Sequence, residues 1–342
     1  MTEKPKRRER YVGTHPKKFS EKYKELNPEK YSTDVEKIKA RGSTPAGTHR
    51  PICVQEILDV LKPKQGEKVL DATLGYGGHA RFLIEKIGTT GQFIGIDQDP
   101  IELPKTEKRL REIFSEHSLV MGLSNFGRAR DFLTEKKIDT VDVVLADLGV
   151  SSMQIDDPAR GFSFKYDGPL DLRMNPKRGI SAEALINQTK EVDLVQLLQE
   201  NSDEPYAEAI AKGLIRKRPK TTFETVEAVR NVIKALSPRI QREEGDSPVR
   251  RCFQALRIEV NGEFKALNAF LKSLPLMLSR GGRVAILSFH SGEDRRVKKS
   301  FQLFERSGIY TKTSDGPLRP TGEEQRDNPR SKSAKLRWAI RK

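Results

Sequence analysis

A glycine-rich turn between two apolar runs is the first part of this chain whose residues could do chemistry. The apolar run 68–73 leads into Gly75, Gly77 and Gly78, and a second apolar run ends at Asp97. A strand, a glycine turn that opens a helix and a second strand ending in an acid together hold an adenine nucleoside. Dinucleotide-binding turns carry G-x-G-x-x-G, so that a pyrophosphate can sit against the helix N-terminus. The shorter G-x-G-G spacing of this turn favours S-adenosylmethionine, which has no phosphate.

Carboxylates end three of the predicted strands, at Asp71, Asp97 and Asp147. Open parallel sheets bind ligands beyond the carboxyl ends of their strands, near the point where the strand order reverses. Asp97 can accept hydrogen bonds from both ribose hydroxyls of an unphosphorylated nucleoside, and Asp147 should lie beside the same ligand. The structural alternatives are a glycine turn without a ligand and an Asp that only begins a turn after a strand.

The composition indicates a large soluble protein that binds a polyanion. The chain has 342 residues, of which 35% are hydrophobic, and it carries a net charge of +15 with a pI near 9.7. Such a charge attracts phosphates, although it does not distinguish RNA from DNA or from an acidic membrane surface. Cys53 and Cys252 form neither a disulfide framework nor a zinc motif, and no segment resembles a signal peptide or a membrane span. We therefore expect a cytoplasmic protein without a membrane partner.

Predicted strands and helices alternate along most of the chain. Apolar runs predict strands at 68–73, 92–97, 119–122, 141–148 and 282–290. Helical spacing occurs at 52–61, 80–87 and 101–113, where Pro104 indicates the start of the third helix. This alternation predicts an α/β fold with a doubly wound parallel sheet. The run 336–341 alternates like a strand, and we expect it to lie antiparallel at the sheet edge.

The interval between the fourth and fifth predicted strands is longer than any crossover connection needs, at well over a hundred residues. Helix-spaced apolar residues occur in it at 185–199, 206–216, 223–235 and 249–278. The simplest interpretation is an all-helical domain inserted into the sheet domain, whose long last helix returns the chain to the core.

Residues 1–48 differ in composition from the rest of the chain. They contain thirteen Lys or Arg and seven Asp or Glu, a net charge of +6 (13 − 7), and few aliphatic residues. Such a segment cannot bury enough apolar surface to offset its ordering entropy, which predicts a flexible basic N-terminal extension. The extension could tether RNA or have no function of its own, and the sequence leaves both open.

Five longer segments, taken in order, resemble one enzyme family. They are Asp147–Gln154, Arg160–Phe164, Asp167–Met174, Ser288–Arg295 and Asn328–Arg337. Together they resemble the RsmH (MraW) family of ribosomal RNA cytosine-N4 methyltransferases, from about His49 to the C-terminus. The resemblance implies a class I, Rossmann-like methyltransferase fold with S-adenosylmethionine as methyl donor. It also implies small-subunit (16S) ribosomal RNA as substrate and the N4 amine of a decoding-region cytidine as acceptor.

The resemblance also implies domain limits and cofactor contacts. It supports an inserted helical substrate-recognition domain at 159–262 within a methyltransferase domain formed by 49–158 and 263–342. The positions that match the family's cofactor contacts are Gly77, Gly78, His79, Asp97, Phe126, Asp147 and Gln154. Glycines let the backbone approach the ligand, a histidine can cap the turn near the methionine group, a phenyl ring offers adenine an apolar face, and an amide offers hydrogen bonds. No metal is expected.

Asp147 is in addition the candidate catalytic residue. Methyl transfer from a sulfonium is an in-line displacement, which requires alignment and exclusion of water but no nucleophilic residue. The lone pair of cytosine N4 is delocalised into the ring, and an acceptor for its N–H protons would localise that pair. Leu148 and Gly149 replace the prolines of the Asp-Pro-Pro-Tyr motif in amino-methylating DNA enzymes, so the analogy with them is partial.

A base must leave its stack to reach the methyl donor, and extruded bases are held by aromatic faces and by contacts to their edges. The candidate substrate contacts are Arg160, Phe162, Phe164 and His290. The alternatives are a pair of core phenylalanines and a structural histidine. The chain departs from the family at Gly292, where Leu is usual.

Basic clusters at 216–220, 250–251, 295–299 and 330–337 can neutralise RNA phosphates. The expected partner is small-subunit ribosomal RNA, within a 30S particle or free of it, and the chain acts as a monomer or a homodimer. A noncatalytic RNA-binding assembly factor that retains the cofactor fold is the alternative from another class. A dinucleotide-dependent dehydrogenase is disfavoured by the glycine spacing.

Overall fold

Seven strands form one sheet in the order β3-β2-β1-β4-β5-β7-β6 in the computed structural model, which describes residues 51–342. The strands are β1 Lys68–Asp71, β2 Gln92–Asp97, β3 Ser118–Leu123, β4 Val141–Asp147, β5 Leu278–Ser288, β6 Tyr310–Thr313 and β7 Lys335–Arg341. The predicted flexible extension, residues 1–48, lies outside the described residues.

The helices of the described residues occupy both faces of the sheet and the long interval between β4 and β5. They are α1 Val54–Leu61, α2 Gly78–Ile87, α3 Leu103–Ile113, α4 Ala129–Glu135, α5 Ser152–Asp156, α6 Ala182–Gln188, α7 Glu191–Ser202, α8 Ala207–Lys217, α9 Thr222–Leu236, α10 Pro238–Glu244, α11 Ser247–Asn261, α12 Glu263–Met277, α13 Ser291–Arg306 and α14 Gly322–Asp327. None of them combines the length and the apolar composition that a bilayer crossing requires.

The predicted doubly wound sheet is confirmed, and its strand order reverses between β1 and β4. Strands β1 to β5 run parallel, whereas β7 is antiparallel to β5 and to β6. The prediction that residues 336–341 form an antiparallel strand is therefore correct, but its placement at the sheet edge is wrong. The edge strand is β6, whose four residues include two exposed polar side chains and so gave no apolar run to detect.

Alternate residues of the central strands face opposite sides of the sheet and build two separate apolar cores. Leu70 of β1 packs in the core beneath α4, α12 and α13, whereas the adjacent Val69 packs beneath α1, α2 and α3. Because both faces are covered, the strands are apolar throughout, as in other parallel sheets. The cores hold the strand ends at fixed positions, which is what a site at those ends requires.

The helices between β4 and β5 surround a third apolar core of their own, with buried members from Phe162 to Leu256. The single helix predicted at 249–278 is in fact two helices, because Gly262, with φ +59° in the left-handed region, ends the first and precedes the second. The first of them, α11, belongs to this third core, and the second, α12, packs on the sheet. The helix predicted at 185–199 is likewise divided, into α6 and α7.

A buried ion pair joins the end of β2 to the segment that leads into these helices. Asp99 is 1% exposed, and its Oδ2 accepts hydrogen bonds from both terminal nitrogens of Arg160 at 3.1 Å and from Gln154 Nε2 at 2.7 Å. Arg160 also donates to the backbone carbonyls of Arg173 and Met174. Five polar groups that would be costly to bury alone therefore pair with one another, and among the described residues only Nε of Arg160 in this network has no partner.

We expect Asp99→Asn to lower the free energy of unfolding by about 3 kcal/mol, because it leaves the buried Arg160 without its counter-charge. The matched control is Asp131→Asn, since Asp131 also pairs with an arginine, Arg128, but at the surface, where the two side chains are 60% and 65% exposed. Loss of that pair should cost less than about 1 kcal/mol. Urea unfolding of both variants measures the difference, and equal losses would contradict the role given to Asp99.

Candidate active site

The glycine-rich turn after β1 is held from both sides by the ends of the neighbouring strands. On the β4 side, the backbone N–H of Asp147 donates to Thr73 Oγ1 at 2.6 Å. On the β2 side, the N–H of Gly75 donates to Asp97 Oδ2 at 2.7 Å. Because β1 lies between β2 and β4, these two hydrogen bonds place Asp97 and Asp147 on opposite flanks of the same turn.

Glycine is required in this turn for conformational and steric reasons. Gly77 has φ +73°, in the left-handed region, and a Cβ there would lie 3.2 Å from Leu110 Cδ1 and from Thr106 Cγ2. Helix α3 also holds the turn, since Thr106 Oγ1 donates to the Gly75 carbonyl at 2.7 Å. Gly78 begins α2. The turn therefore keeps its backbone close to the strand ends, where a ligand can approach it.

Three carboxyl groups around the turn are held with raised pKa values. Burial raises the pKa of Asp71 to about 7, with His79 opposing this and Asp147 and Asp97 adding to it. Burial, followed by the charge of Glu293, raises the pKa of Asp147 to about 7. Burial also raises the pKa of Asp97, although backbone N–H groups partly offset it. A positively charged ligand would stabilise the ionised form of all three groups.

Asp147 has one carboxylate oxygen that is buried and lacks a hydrogen-bond partner among the described residues. This atom is Oδ1, whereas Oδ2 lies 3.6 Å from Nδ1 of His79. The side chain as a whole remains 30% exposed. Buried acceptors without a partner are rare and destabilising, so Oδ1 marks a position for a donor that a bound molecule supplies.

His79 lies on the first turn of α2, with 7% of its surface exposed. Its Nε2 is 2.9 Å from the backbone carbonyl of Ile52. Burial lowers the pKa of His79, so the ring is neutral near pH 7. Since a carbonyl can only accept, the proton is assigned to Nε2, and the Nδ1 lone pair faces Asp147.

The other predicted cofactor contacts lie around the ends of β2, β3 and β4. Asp97 ends β2, and its Oδ1 accepts from the N–H of Asp99 at 2.9 Å. Phe126 follows β3 and packs edge-to-face on Phe270 with ring centroids 5.6 Å apart. Gln154 is buried, and its amide bonds Asp99 and the N–H of Ser151. Its direct contact with a cofactor stays a prediction, because the structure gives its amide an internal role.

The predicted substrate contacts divide into buried and accessible residues. Arg160 is the buried partner of Asp99, and Phe162 is 9% exposed within the helical core, as the structural alternative expected. Phe164 is half-buried at the margin of that core, and the Arg250 guanidinium lies 5.9 Å from its ring centroid. Arg160 and Phe162 are therefore less accessible to a base than Phe164, which is the better placed of the three to contact one.

His290 follows β5, the strand beside β4. Its Nε2 lies 3.3 Å from Oε1 of Glu293, and neither ring nitrogen makes a hydrogen bond with the described residues. Its ring packs against Phe264 with centroids 5.7 Å apart. Gly292 leaves room for this packing, since a Cβ there would lie 2.6 Å from Phe264 Cζ. His290 is thus paired with Glu293 through Nε2, both of its ring nitrogens are buried, and its contact with a substrate stays a prediction.

Two further carboxylates of the site were missed from the sequence. Asp99 follows Asp97 by two residues and begins the approach to a predicted helix, which is a signal for a structural acid. Glu293 is 3% exposed and acts on Asp147 at a distance. Burial raises the pKa of Glu293, but His290, Arg257 and the Phe289 N–H together lower it below its usual value. It therefore stays ionised beside a site that is already acidic.

Cys53, Glu56 and Glu324 also lie close to His79, with their ligand atoms within 4.8 Å of one another. Glu324 Oε1 accepts a hydrogen bond from the Cys53 N–H at 3.0 Å. This contact ties α14 to the start of α1 and gives the grouping a structural explanation.

The strand order with an antiparallel β7, the glycine turn after β1 and the acid that ends β2 define a class I S-adenosylmethionine-dependent methyltransferase. Residues 46–342 match the family model described as the MraW methylase family. The chain therefore belongs to the MraW methylase family and is a methyltransferase, which confirms the family suggested by its motifs.

Relatives named ribosomal RNA small subunit methyltransferase H support this membership. The H 1 protein of Lachnoclostridium phytofermentans is 50% identical, with 98% of this chain and 93% of the relative covered. The H 2 protein of Alkaliphilus metalliredigens is 50% identical, with 99% and 98% covered. The protein of Heliobacterium modesticaldum is 37% identical, with 85% and 97% covered. The first two alignments cover 98% and 99% of this chain, so they include most of residues 1–48.

The residues of the site fit S-adenosylmethionine. The ligand carries a positive sulfonium and an α-ammonium group, which suit three carboxyl groups with raised pKa values. Asp97 retains lone pairs for ribose hydroxyls beyond its two backbone hydrogen bonds. The glycine turn exposes backbone at the same place, so that a nucleoside can approach it closely.

Gly77→Ala should weaken binding of S-adenosylhomocysteine at least tenfold, because a methyl group there crowds Leu110 and Thr106 at 3.2 Å and shifts the turn from its position. Gly281→Ala is the matched control, since Gly281 also has φ +73° but has no atom within 4 Å of its Cβ position. Both variants bear the same left-handed strain of about 1–2 kcal/mol, and only the first should lose affinity. Calorimetry measures both, and equal affinities would show that the turn does not form the cofactor site.

Proposed function

We propose that this methyltransferase transfers the methyl group of S-adenosylmethionine to the N4 amine of a cytidine in the decoding region of small-subunit (16S) ribosomal RNA. The observation that carries the proposal is the unpartnered, buried Oδ1 of Asp147 at the end of β4. This is an acceptor where the strand order reverses, and an exocyclic amine is a donor that satisfies it. The names of the relatives support ribosomal RNA as the substrate.

The mechanism follows from what each side chain can do. Bound S-adenosylmethionine supplies an electrophilic methyl group. The glycine turn and Asp97 orient the nucleoside part of the cofactor, and Asp147 accepts a hydrogen bond from the N4 amine. This hydrogen bond draws the nitrogen lone pair out of the pyrimidine ring and aligns it for an in-line attack. His290 and Phe164 are proposed to hold the extruded base by one edge and one face.

The helices between β4 and β5 are proposed to recognise the RNA. In this proposal residues 159–262 form the inserted helical substrate-recognition domain, and residues 49–158 and 263–342 form the methyltransferase domain. The separate apolar core of these helices and the basic residues on them support it. Arg250, which lies over the ring of Phe164, is the basic residue that links this surface to the proposed base pocket.

The finer features of the substrate are also part of the proposal. We propose that the enzyme acts in the cytoplasm on RNA within a 30S particle, and that it functions as a homodimer. A noncatalytic assembly factor would have no use for an unpartnered acceptor next to a cofactor turn, so we favour the enzyme over it. Light scattering of the purified chain and methylation assays on free RNA and on particles test these features.

Purified protein and tritiated S-adenosylmethionine should label small subunits from a strain that lacks this enzyme, and nucleoside digestion should yield N4-methylcytidine. Asp147→Asn should reduce the rate by at least about 10²-fold, because the amide cannot take up positive charge from the amine. Affinity for S-adenosylhomocysteine must be measured beside the rate to separate binding from chemistry. Label on a ring carbon or on ribose would refute the proposed acceptor.

Removal of residues 1–48 should make RNA binding less sensitive to salt, because it removes a net charge of +6 that can displace counterions from phosphates. The slope of log affinity against log salt concentration measures this directly. The matched control keeps the full chain. In it, Glu replaces only those lysines of the extension that bound RNA does not protect in a footprinting experiment. An unchanged slope for the shortened chain would exclude a role of the extension in phosphate binding.

A further inference from the structure

The side chains of Asp147 and His79 face each other. Asp147 Oδ2 lies 3.6 Å from His79 Nδ1, while the opposite ring nitrogen, Nε2, is 2.9 Å from the carbonyl of Ile52. The carbonyl fixes both the ring orientation and the tautomer, so a lone pair points at the carboxyl group. The remaining carboxyl oxygen, Oδ1, is buried and has no hydrogen-bond partner among the described residues.

We propose that the Asp147–His79 pair takes up and holds the proton that leaves the cytidine amine, with the His79 ring as a positioning group and any cofactor contact of this residue made by its backbone. This inference rests on the proposed function, because only an amine acceptor must lose a proton after methylation. In the step, the N4 lone pair forms the new N–C bond as the methyl–sulfur bond breaks, and its electrons go to sulfur. One N–H bond then breaks, its electron pair returns to nitrogen, and an O–H bond forms on Asp147.

The neutral imidazole gives this proton a stable position. A protonated Asp147 can turn its carboxyl group so that the new O–H faces the Nδ1 lone pair, and the acid is then hydrogen-bonded. Without His79, the new acid would have no acceptor on that side. Oδ2 and Nδ1 are 3.6 Å apart, which is longer than a hydrogen bond, so the carboxyl group must rotate before the pair shares the proton.

The surroundings of the pair favour its protonated form. The negative charge of Glu293, from α13, raises the pKa of Asp147, and burial raises it more. Burial lowers the pKa of His79, whereas Asp71 of β1 and Glu324 of α14 raise it. The Cys53 thiol next to α1 has its own pKa raised by burial, Glu56, Glu324 and Asp147, so it is neutral. The charged groups that act on the pair from these neighbouring elements are thus acidic.

His79→Gln separates this role from cofactor binding. The glutamine amide can still donate to the Ile52 carbonyl, but it offers no basic nitrogen to Asp147. We expect S-adenosylhomocysteine affinity to change by less than about threefold, while the single-turnover methylation rate falls about tenfold. That is less than the 10²- to 10⁴-fold effect of a direct base. The rate should rise with pH as Asp147 ionises, and the rise should occur at a lower pH in the variant, because its protonated Asp147 lacks the Nδ1 acceptor.

His117→Gln is the control. His117 packs on Phe114 just before β3 begins, whereas the site lies beyond the carboxyl ends of the strands. This variant should leave the rate and the pH profile unchanged. A normal rate and profile in His79→Gln, with or without weaker cofactor binding, would overturn the inference. If that variant does not fold, nitrogen NMR of the native protein decides: the Nε2–H tautomer of His79 at pH 7 supports the pair, and the Nδ1–H tautomer or an imidazolium overturns it. Absence of N4-methylcytidine with native protein would instead refute the proposed function.

Discussion

Two hydrogen bonds from strand ends to one turn set the geometry on which the rest of the site depends. The Asp147 N–H reaches Thr73 Oγ1, and the Gly75 N–H reaches Asp97 Oδ2. They make the turn after β1 a bridge between β2 and β4, with Asp97 on one side of it and Asp147 on the other. A ligand that contacts this turn can therefore meet both acids.

Burial of carboxyl groups around this turn gives the site its chemical character. Isolated acids in an apolar environment lose their charge, whereas a cationic ligand restores it, so the same groups select the ligand and respond to it. Asp147 differs from Asp97 in one respect that matters for chemistry. Asp97 already binds backbone N–H groups with both oxygens, whereas Asp147 keeps an oxygen for another molecule. Asp97 is thereby suited to orienting a ligand, and Asp147 to accepting a proton.

The sequence predicted the parallel strands and the glycine turn because their signals are local: apolar runs, glycines at fixed spacing and acids at strand ends. It did not reveal β6, because a short, polar edge strand has no apolar period. The break at Gly262 was missed because apolar spacing continues on both sides of it, although the two helices face different cores. The roles of Arg160 and Asp99 depend on a contact between residues 61 positions apart, which no local pattern contains.

The space left by Gly292 has an evolutionary consequence. A Cβ at this position would overlap Phe264, whose ring also supports His290 and lies 3.5 Å from the Arg296 guanidinium. A side chain at position 292 would displace that ring unless residue 264 also changed, so we expect the residues at these two positions to vary together among relatives.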